Sequence, residues 1–101
     1  IDTGVSGRMA QTVGEKMCLI ARDRQVLCVT HLPQLAAMAD THFSVEKGER
    51  KGRTFTQVVQ LDRQRRKAEL ARITGGTKVT DALLQSAGEL LDEAEAYRRG
   101  L

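Results

Sequence analysis

The sequence predicts a small α/β domain, and three observations carry this prediction. Residues 26–30 form an apolar run rich in β-branched side chains, which is typical of a strand buried on both faces in a parallel sheet. Residues 41–47 and 53–61 have strong strand propensity with a charged turn between them, which predicts an antiparallel hairpin. Most of the remaining chain has apolar residues at helical spacing, so helices are expected around both strand systems.

The composition limits the class of protein. The 101 residues suffice for one small domain, and the 41% hydrophobic and 29% charged content describes a soluble globular segment. The formal net charge of +3 permits an acidic partner such as nucleic acid without requiring one. No apolar window approaches the roughly 20 residues that cross a bilayer, so no membrane partner is expected. Cys18 and Cys28 lie in apolar contexts and are predicted to be buried, reduced thiols of a cytoplasmic protein.

The N-terminal part predicts a loop, a helix and then the apolar strand. Residues 1–7 contain two glycines and end near a candidate helix cap at Ser6. Residues 8–22 follow helical spacing, and Gly14 within them predicts close approach of a neighbouring element. A helix followed by an apolar strand is the second half of a βαβ unit, whose first strand is expected upstream of Ile1.

The apolar strand ends in Thr30 and His31. Ligands of open α/β sheets bind at the carboxyl ends of the strands, so this polar pair occupies a position where such folds carry out chemistry. A histidine after a strand is nevertheless more often an ordinary loop residue, and the residues alone leave both interpretations open. A short helix is expected over residues 34–39, directly after Pro33.

The C-terminal half predicts the hairpin and two capped helices. Strand alternation places His42 on the polar, exposed face, and residues 48–52 form the turn. Asp62 caps a helix over residues 63–74, which the glycine pair after it stops. Thr80 caps the last helix, residues 81–99. The apolar stripe of that helix consists of Leu83, Ala87, Leu90, Ala94 and Tyr97.

Basic residues cluster in the hairpin and in the first turns of the helix after it. They are Lys47, Arg50, Lys51, Arg53, Arg63, Arg65, Arg66 and Lys67. Cations at the start of a helix oppose its dipole, a small cost that fits a phosphate-contacting patch. A solvated basic surface is the simpler interpretation. The candidate DNA-contacting residues are Lys51, Arg53, Arg65 and Arg66.

The order of these motifs resembles the ATP-binding-cassette heads of SMC-like ATPases. The loop Asp2-Thr3-Gly4-Val5-Ser6-Gly7 is followed by a helix and by a strand ending in Val29-Thr30-His31-Leu32-Pro33-Gln34, and the later Leu70-Ala71-Arg72-Ile73-Thr74-Gly75-Gly76 agrees with the same family. In such heads, a strand ending in Asp-Glu precedes a D-loop, a helix and a strand ending in a switch histidine. The resemblance implies the C-terminal part of a head: a fragment of a P-loop NTPase-like parallel sheet, an antiparallel hairpin and C-terminal helices.

The resemblance assigns roles to only a few residues. Asp2, Thr3, Gly4 and Ser6 would form the D-loop, which crosses the interface between two heads. His31 would be the switch histidine and the candidate catalytic residue, contacting the γ-phosphate and holding the attacking water. The sequence contains no G-x-x-x-x-G-K-[ST] phosphate loop, and the Asp-Glu pair is expected just before Ile1. We therefore expect this segment alone to be inactive and to hold no metal ligand.

For the complete protein, the resemblance implies ATP binding and hydrolysis with Mg²⁺ and a head-to-head homodimer around nucleotide. It also implies action on DNA in double-strand-break repair and recombination, in the bacterial cytoplasm at the nucleoid. Within one protein, this segment would pair with the remaining half of its own head domain, and the N-terminal half of the head and the coiled coil are expected outside this segment. The alternative is a non-enzymatic DNA-binding or protein-interaction module that uses the basic hairpin and helix.

Overall fold

The computed structural model describes residues 7–101, which form four helices and one two-stranded sheet. The elements in chain order are α1 (Gly7–Ile20), α2 (Pro33–Ala37), β1 (Phe43–Arg50), β2 (Arg53–Gln60), α3 (Arg63–Gly75) and α4 (Asp81–Arg99). A small mixed α/β architecture with an antiparallel hairpin is therefore confirmed.

The core lies among α2, α3 and α4. Its buried residues are Ala36, Ala37, Met38, Leu70, Ala71, Ala87, Leu91 and Ala94. Five of these eight are alanines, whose short side chains let the helices approach closely. Helix α1 packs on α2 at Gly14, where an added β-carbon would lie 2.9 Å from the Cγ of Met38. The predicted close neighbour of Gly14 is thus α2.

Side-chain caps set the boundaries of the two long C-terminal helices. The carboxylate of Asp62 accepts a hydrogen bond from the amide of Arg65 (2.8 Å), and the hydroxyl of Thr80 accepts one from the amide of Leu83 (3.1 Å). Helix α3 ends at Gly75, and Gly76 directly after it has a φ of 66°, which suits glycine. These three predicted boundaries are confirmed because they depend on local hydrogen bonds.

The apolar stripe predicted for α4 faces the core. Ala87 and Ala94 are buried, and the other three predicted members pack partly buried against them. Leu91, which the prediction omitted, is also buried. It lies four residues after Ala87 and therefore on the same face of the helix.

The turn of the hairpin is tighter than predicted. The strands pair from Phe43 opposite Gln60 to Arg50 opposite Arg53, which leaves a two-residue turn. Lys51 and Gly52 form that turn with φ values of 53° and 74°, the positive angles that a type I′ turn requires. The five-residue turn predicted over residues 48–52 is therefore wrong, because three of those residues continue the strand ladder.

The hairpin is joined to the helices at its open end. The amide of Leu61 donates to the carbonyl of His42 (2.9 Å), and Glu46 on β1 lies 3.7 Å from Arg65 on α3. Beyond this junction the hairpin is exposed on both faces, as the 68% exposure of Val45 on one face and the 40% exposure of Phe55 on the other indicate.

The strand predicted over residues 26–30 is not formed. These residues belong to a segment without regular secondary structure, and Leu27 and Val29 are 85% and 93% exposed. A parallel strand needs neighbouring strands on both sides, and across residues 7–101 the hairpin is the sheet that exists. The predicted parallel-sheet fragment is therefore not shown by the described residues. Cys28 in this segment is exposed rather than buried.

The predicted environment of His42 is also wrong. His42 immediately precedes β1 and is half-buried rather than exposed, and its Nδ1 is inaccessible without a hydrogen-bond partner in the described part of the chain. Burial lowers the pKa of His42, and the nearby guanidinium of Arg66 lowers that pKa further. Strand alternation could not place His42, because the residue lies at the junction with α3.

Candidate functional site around His31

His31 lies exposed near the end of the irregular segment, residues 25–32, two residues before α2. The hydroxyl of Thr30 accepts a hydrogen bond from the amide of Leu32 (3.0 Å), which turns the chain around His31. Leu32 is extended, with φ −95° and ψ 122°, and Pro33 opens the helix. The backbone on both sides of His31 is therefore restricted.

The carboxyl end of α2 is held by Arg66 from α3. Its Nη2 donates to the carbonyl oxygens of Ala36 (3.1 Å), Ala37 (3.4 Å) and Ala39 (3.0 Å). Arg66 is half-buried, and burial lowers the pKa of its guanidinium, as does the charge of Arg98 nearby. The guanidinium that the sequence placed among the DNA-contacting candidates is thus engaged with the protein backbone.

A second arginine, Arg98 near the end of α4, reaches the same end of α2. Its Nη1 donates to the carbonyl oxygens of Ala37 (3.3 Å) and Met38 (3.2 Å), and its Nε lies 3.3 Å from the carboxylate of Asp40. We call Arg66 and Arg98 together the arginine clamp. It joins two C-terminal helices to the short helix that follows His31.

Sequence reasoning missed the arginine clamp, although the sequence contains a signal for it. Arg66 lies four residues before the buried Leu70, and Arg98 lies four residues after the buried Ala94. Residues four apart lie on the same helix face, so both arginines extend from core-facing positions. An arginine at such a position is expected to seek acceptors inside the protein.

The remaining candidate DNA-contacting residues lie around the hairpin. Lys51 is at the turn, Arg53 begins β2, and both are exposed. Arg65 is exposed on α3, and its ion pair with Glu46 offsets part of its charge. Arg50 is also exposed and lies over the ring of Phe55, 5.8 Å from its centroid.

The four predicted D-loop residues lie outside the described residues. They are Asp2, Thr3, Gly4 and Ser6, and their role stays a prediction. From residue 7 onward, no group of three or more His, Cys, Asp or Glu side chains could hold a metal ion. The same part of the chain has no helix with the length and apolarity needed to span a membrane.

An apolar groove runs beside the irregular segment that leads to His31. Its volume is about 490 Å³, and it lies between α1, residues 24–28, the end of α2 and the start of β1. Apolar side chains dominate its wall, among them Met17, Leu27, Leu35, Met38 and Phe43. Cys18 also lines it, and burial raises the pKa of this thiol.

Comparison with known proteins shows the class. No family model matches the chain. The chain is 50% identical over 98 residues to "DNA repair protein RecN" of Bacillus subtilis, covering 97% of this chain and 17% of the relative. It is 44% identical over 91 residues to the protein of that name from Vibrio cholerae, covering 90% of this chain and 16% of the relative. A Xylella fastidiosa relative of that name is 42% identical over 95 residues, covering 94% of this chain and 17% of the relative.

These relatives are DNA repair proteins, and their similarity extends over nearly the whole of this chain. The chain belongs to the RecN family. It spans about one sixth of the length of the curated relatives that it matches.

Proposed function

We propose that this chain is the part of an SMC-like, ATP-binding-cassette head that carries the switch histidine, His31. The complete protein would then bind and hydrolyse ATP in DNA double-strand-break repair and recombination. The observation that carries the proposal is the constrained, exposed position of His31 between the Thr30–Leu32 hydrogen bond and Pro33. The family relationship supports a role in DNA repair and, with it, a location at the nucleoid in the bacterial cytoplasm.

The chemistry of His31 suits contact with a γ-phosphate. Bound ATP with Mg²⁺ supplies the phosphoryl group and neutralises part of its negative charge. An imidazole N–H can donate to a phosphate oxygen or hold a water molecule beside it. Such a donor stabilises developing negative charge most effectively when its position is fixed before the reaction. The phosphate loop and the Mg²⁺ ligands are expected in the rest of the head.

The remaining half of the head is the proposed partner of the irregular segment that leads to His31. Leu27 and Val29 expose large apolar surfaces, and the groove beside them is lined by apolar side chains. Strands supplied by the rest of the head would pair with residues 26–30 and cover these surfaces, which would remove water from the environment of His31. Asp2, Thr3, Gly4 and Ser6 would lie at the interface of the head-to-head homodimer.

Contact with DNA by the hairpin is a second candidate function. The observation that favours it is the exposure of Lys51 and Arg53 on a hairpin that is exposed on both faces beyond its junction with α3. Such a projection can reach the phosphates of a duplex without moving the helical core. Arg65 would support it from the junction. DNA contact by the hairpin is compatible with ATP hydrolysis elsewhere in the protein. As the sole function, it would make this chain a non-enzymatic DNA-binding module.

The replacement His31→Ala in the complete protein tests the ATPase proposal. We expect ATP hydrolysis to fall roughly 10²-fold, the scale for losing one well-placed donor, with a much smaller change in ATP affinity. The melting temperature should hold, because His31 is exposed. The exposed Gln25→Ala in the same segment is the matched control and should retain full turnover. A His31→Ala protein with normal turnover would refute the assignment.

A further inference from the structure

We propose that the arginine clamp is a positioning device: Arg66 and Arg98 fix α2 and thereby the place of His31. The inference rests on the function proposed for His31. It adds two residues, on two different helices, that contribute to that function without contacting nucleotide themselves.

Helix α2 is too short to hold its own position. It has five residues, whereas isolated helices need about 12–15 residues to be even marginally stable in water. Its N-cap residue Leu32 makes no side-chain cap hydrogen bond. The last carbonyl oxygens of any helix lack partners within that helix, and here the clamp supplies donors to them. The position of α2 is therefore set from outside.

The clamp sets that position at the cost of repulsion between two positive charges. Two guanidinium groups converge on one short helix end, and burial together with the charge of Arg98 lowers the pKa of Arg66. Asp40, beside Arg98, offsets only part of the repulsion. Apolar side chains could fill the same space without placing like charges together. Apolar side chains could not donate hydrogen bonds to specific carbonyl oxygens. The two arginines do, and these hydrogen bonds fix α2 in one orientation.

The clamp and His31 are joined through a short, ordered length of backbone. The amide of Ala36, whose carbonyl Arg66 binds, donates to the carbonyl of Leu32 (3.0 Å). Leu32 follows His31 directly and is hydrogen-bonded through its own amide to Thr30. A shift of α2 would therefore displace Leu32 and change the direction of His31. Since α3 and α4 share a core through Leu70 and Leu91, the clamp ties His31 to that helix pair.

The first test measures the clamp without reference to nucleotide. In the complete protein, Arg98→Met removes the donor and keeps the apolar part of the side chain. We expect amide hydrogen exchange over residues 34–39 to become roughly tenfold faster or more, since local stability governs that exchange. Arg99→Met, one residue away, is the control: Arg99 is exposed and pairs with Glu95 within α4. Unchanged exchange in Arg98→Met would overturn the inference.

The second test asks whether the clamp acts through His31. Arg98→Met should lower kcat for ATP hydrolysis roughly 10- to 100-fold, the scale for a misplaced group, with little change in KM. In a His31→Ala background the same replacement should cause no further loss, because residues that act as one unit are not additive. Additive losses in the double variant would overturn the inference. Arg98→Lys should restore part of the kcat that Arg98→Met loses. A kcat of Arg98→Lys no higher than that of Arg98→Met would count against the positioning role.

Failure of the two proposals can be told apart. If His31→Ala keeps full turnover, the proposed function is wrong, and the exchange over residues 34–39 still decides whether the clamp holds α2. If His31→Ala is impaired but Arg98→Met and Arg66→Lys are not, the positioning role is wrong and the proposed function stands. Should Arg98→Met fail to fold, Arg98→Lys and Arg66→Lys carry the same measurements, and unchanged exchange with unchanged kcat in both would overturn the inference.

Discussion

The hydroxyl of Thr30 accepts a hydrogen bond from the amide of Leu32 across His31, at 3.0 Å. This bond spans His31, the residue that carries the proposed function. It replaces a strand ladder that residues 26–30 do not form in this chain, so a side chain rather than a sheet shapes the approach to His31.

Replacing Thr30 with valine tests the role of this bond. Thr30→Val keeps the shape of the side chain and removes the acceptor, whereas Thr30→Ser keeps the acceptor and serves as the control. We expect Thr30→Val to lose about 0.5–1.5 kcal/mol of local stability around His31, measured by amide exchange at Leu32. ATP turnover in the complete protein should fall in the same variant. Equal behaviour of the valine and serine variants would show that the bond does not position His31.

Local patterns in the sequence predicted the elements of the C-terminal half well. The caps at Asp62 and Thr80 and the stop at Gly76 each depend on hydrogen bonds within four residues, so the sequence contains all the information required. The hairpin was predicted because two β-prone stretches flank a charged, glycine-containing segment. Its turn was misplaced because Gly48, taken as a turn residue, lies in β1 under the ring of Phe55.

Residues whose environment depends on distant parts of the chain were predicted poorly. The apolar run at 26–30 has the composition of a buried strand, but burial needs neighbouring strands that residues 7–101 do not supply. Arg66 was assigned to a surface patch because arginine is usually exposed, yet its acceptors lie about 30 residues earlier in the chain. His42 is half-buried because it contacts a helix junction that no strand pattern describes.

The candidate site was predicted in part. The position of His31 just before a short helix follows from the sequence, and the structure has that helix, whereas the strand predicted to lead to His31 is not formed. Arg98 could not be recognised as part of this region, because 67 positions separate it from His31 along the chain. Such pairs are brought together only by the packing of helices against one another.

The turn residue Lys51 offers a test in which stability and DNA binding change in opposite directions. Lys51 has a positive φ, which costs most side chains roughly 1–2 kcal/mol, whereas asparagine tolerates it. Lys51→Asn should therefore stabilise the hairpin by about 0.5–1 kcal/mol. If Lys51 contacts a phosphate, the same change should lower DNA affinity and reduce the salt slope by about 1.

Lys51→Arg is the matched control for this experiment, because it keeps both the charge and the strained backbone. It should bind DNA like the natural chain and show no gain in stability. Hairpin stability is measured by exchange of the β1 and β2 amides, and affinity by titration of a short duplex at several salt concentrations. If Lys51→Asn binds DNA with an unchanged salt slope, Lys51 does not contact phosphate.

The environment of His42 predicts a loss of stability in mild acid. Burial and the charge of Arg66 hold the pKa of His42 below its usual value near 6.5, so the folded protein binds a proton less readily than the unfolded chain. The contribution of neutral His42 to the free energy of unfolding is therefore fully present above pH 6.5. It declines as the pH falls toward the lowered pKa, because the unfolded state takes up the proton first. Glu69 acts in a lower range: the hydrogen bond from Arg72 lowers the pKa of Glu69, so its contribution declines only below about pH 4.5.

Measurements between pH 7.5 and pH 5 in the complete protein separate the two groups. The amide of Leu61 is the local probe, because it donates to the carbonyl of His42 at the base of the hairpin. We expect its protection, corrected for the intrinsic pH dependence of exchange, to decrease across this range in the natural chain. His42→Asn cannot take up a proton and should show a flat profile, whereas Glu69→Gln should keep or steepen the slope, because the charge of Glu69 raises the pKa of His42. A slope that persists in His42→Asn would assign the acid sensitivity to a different group.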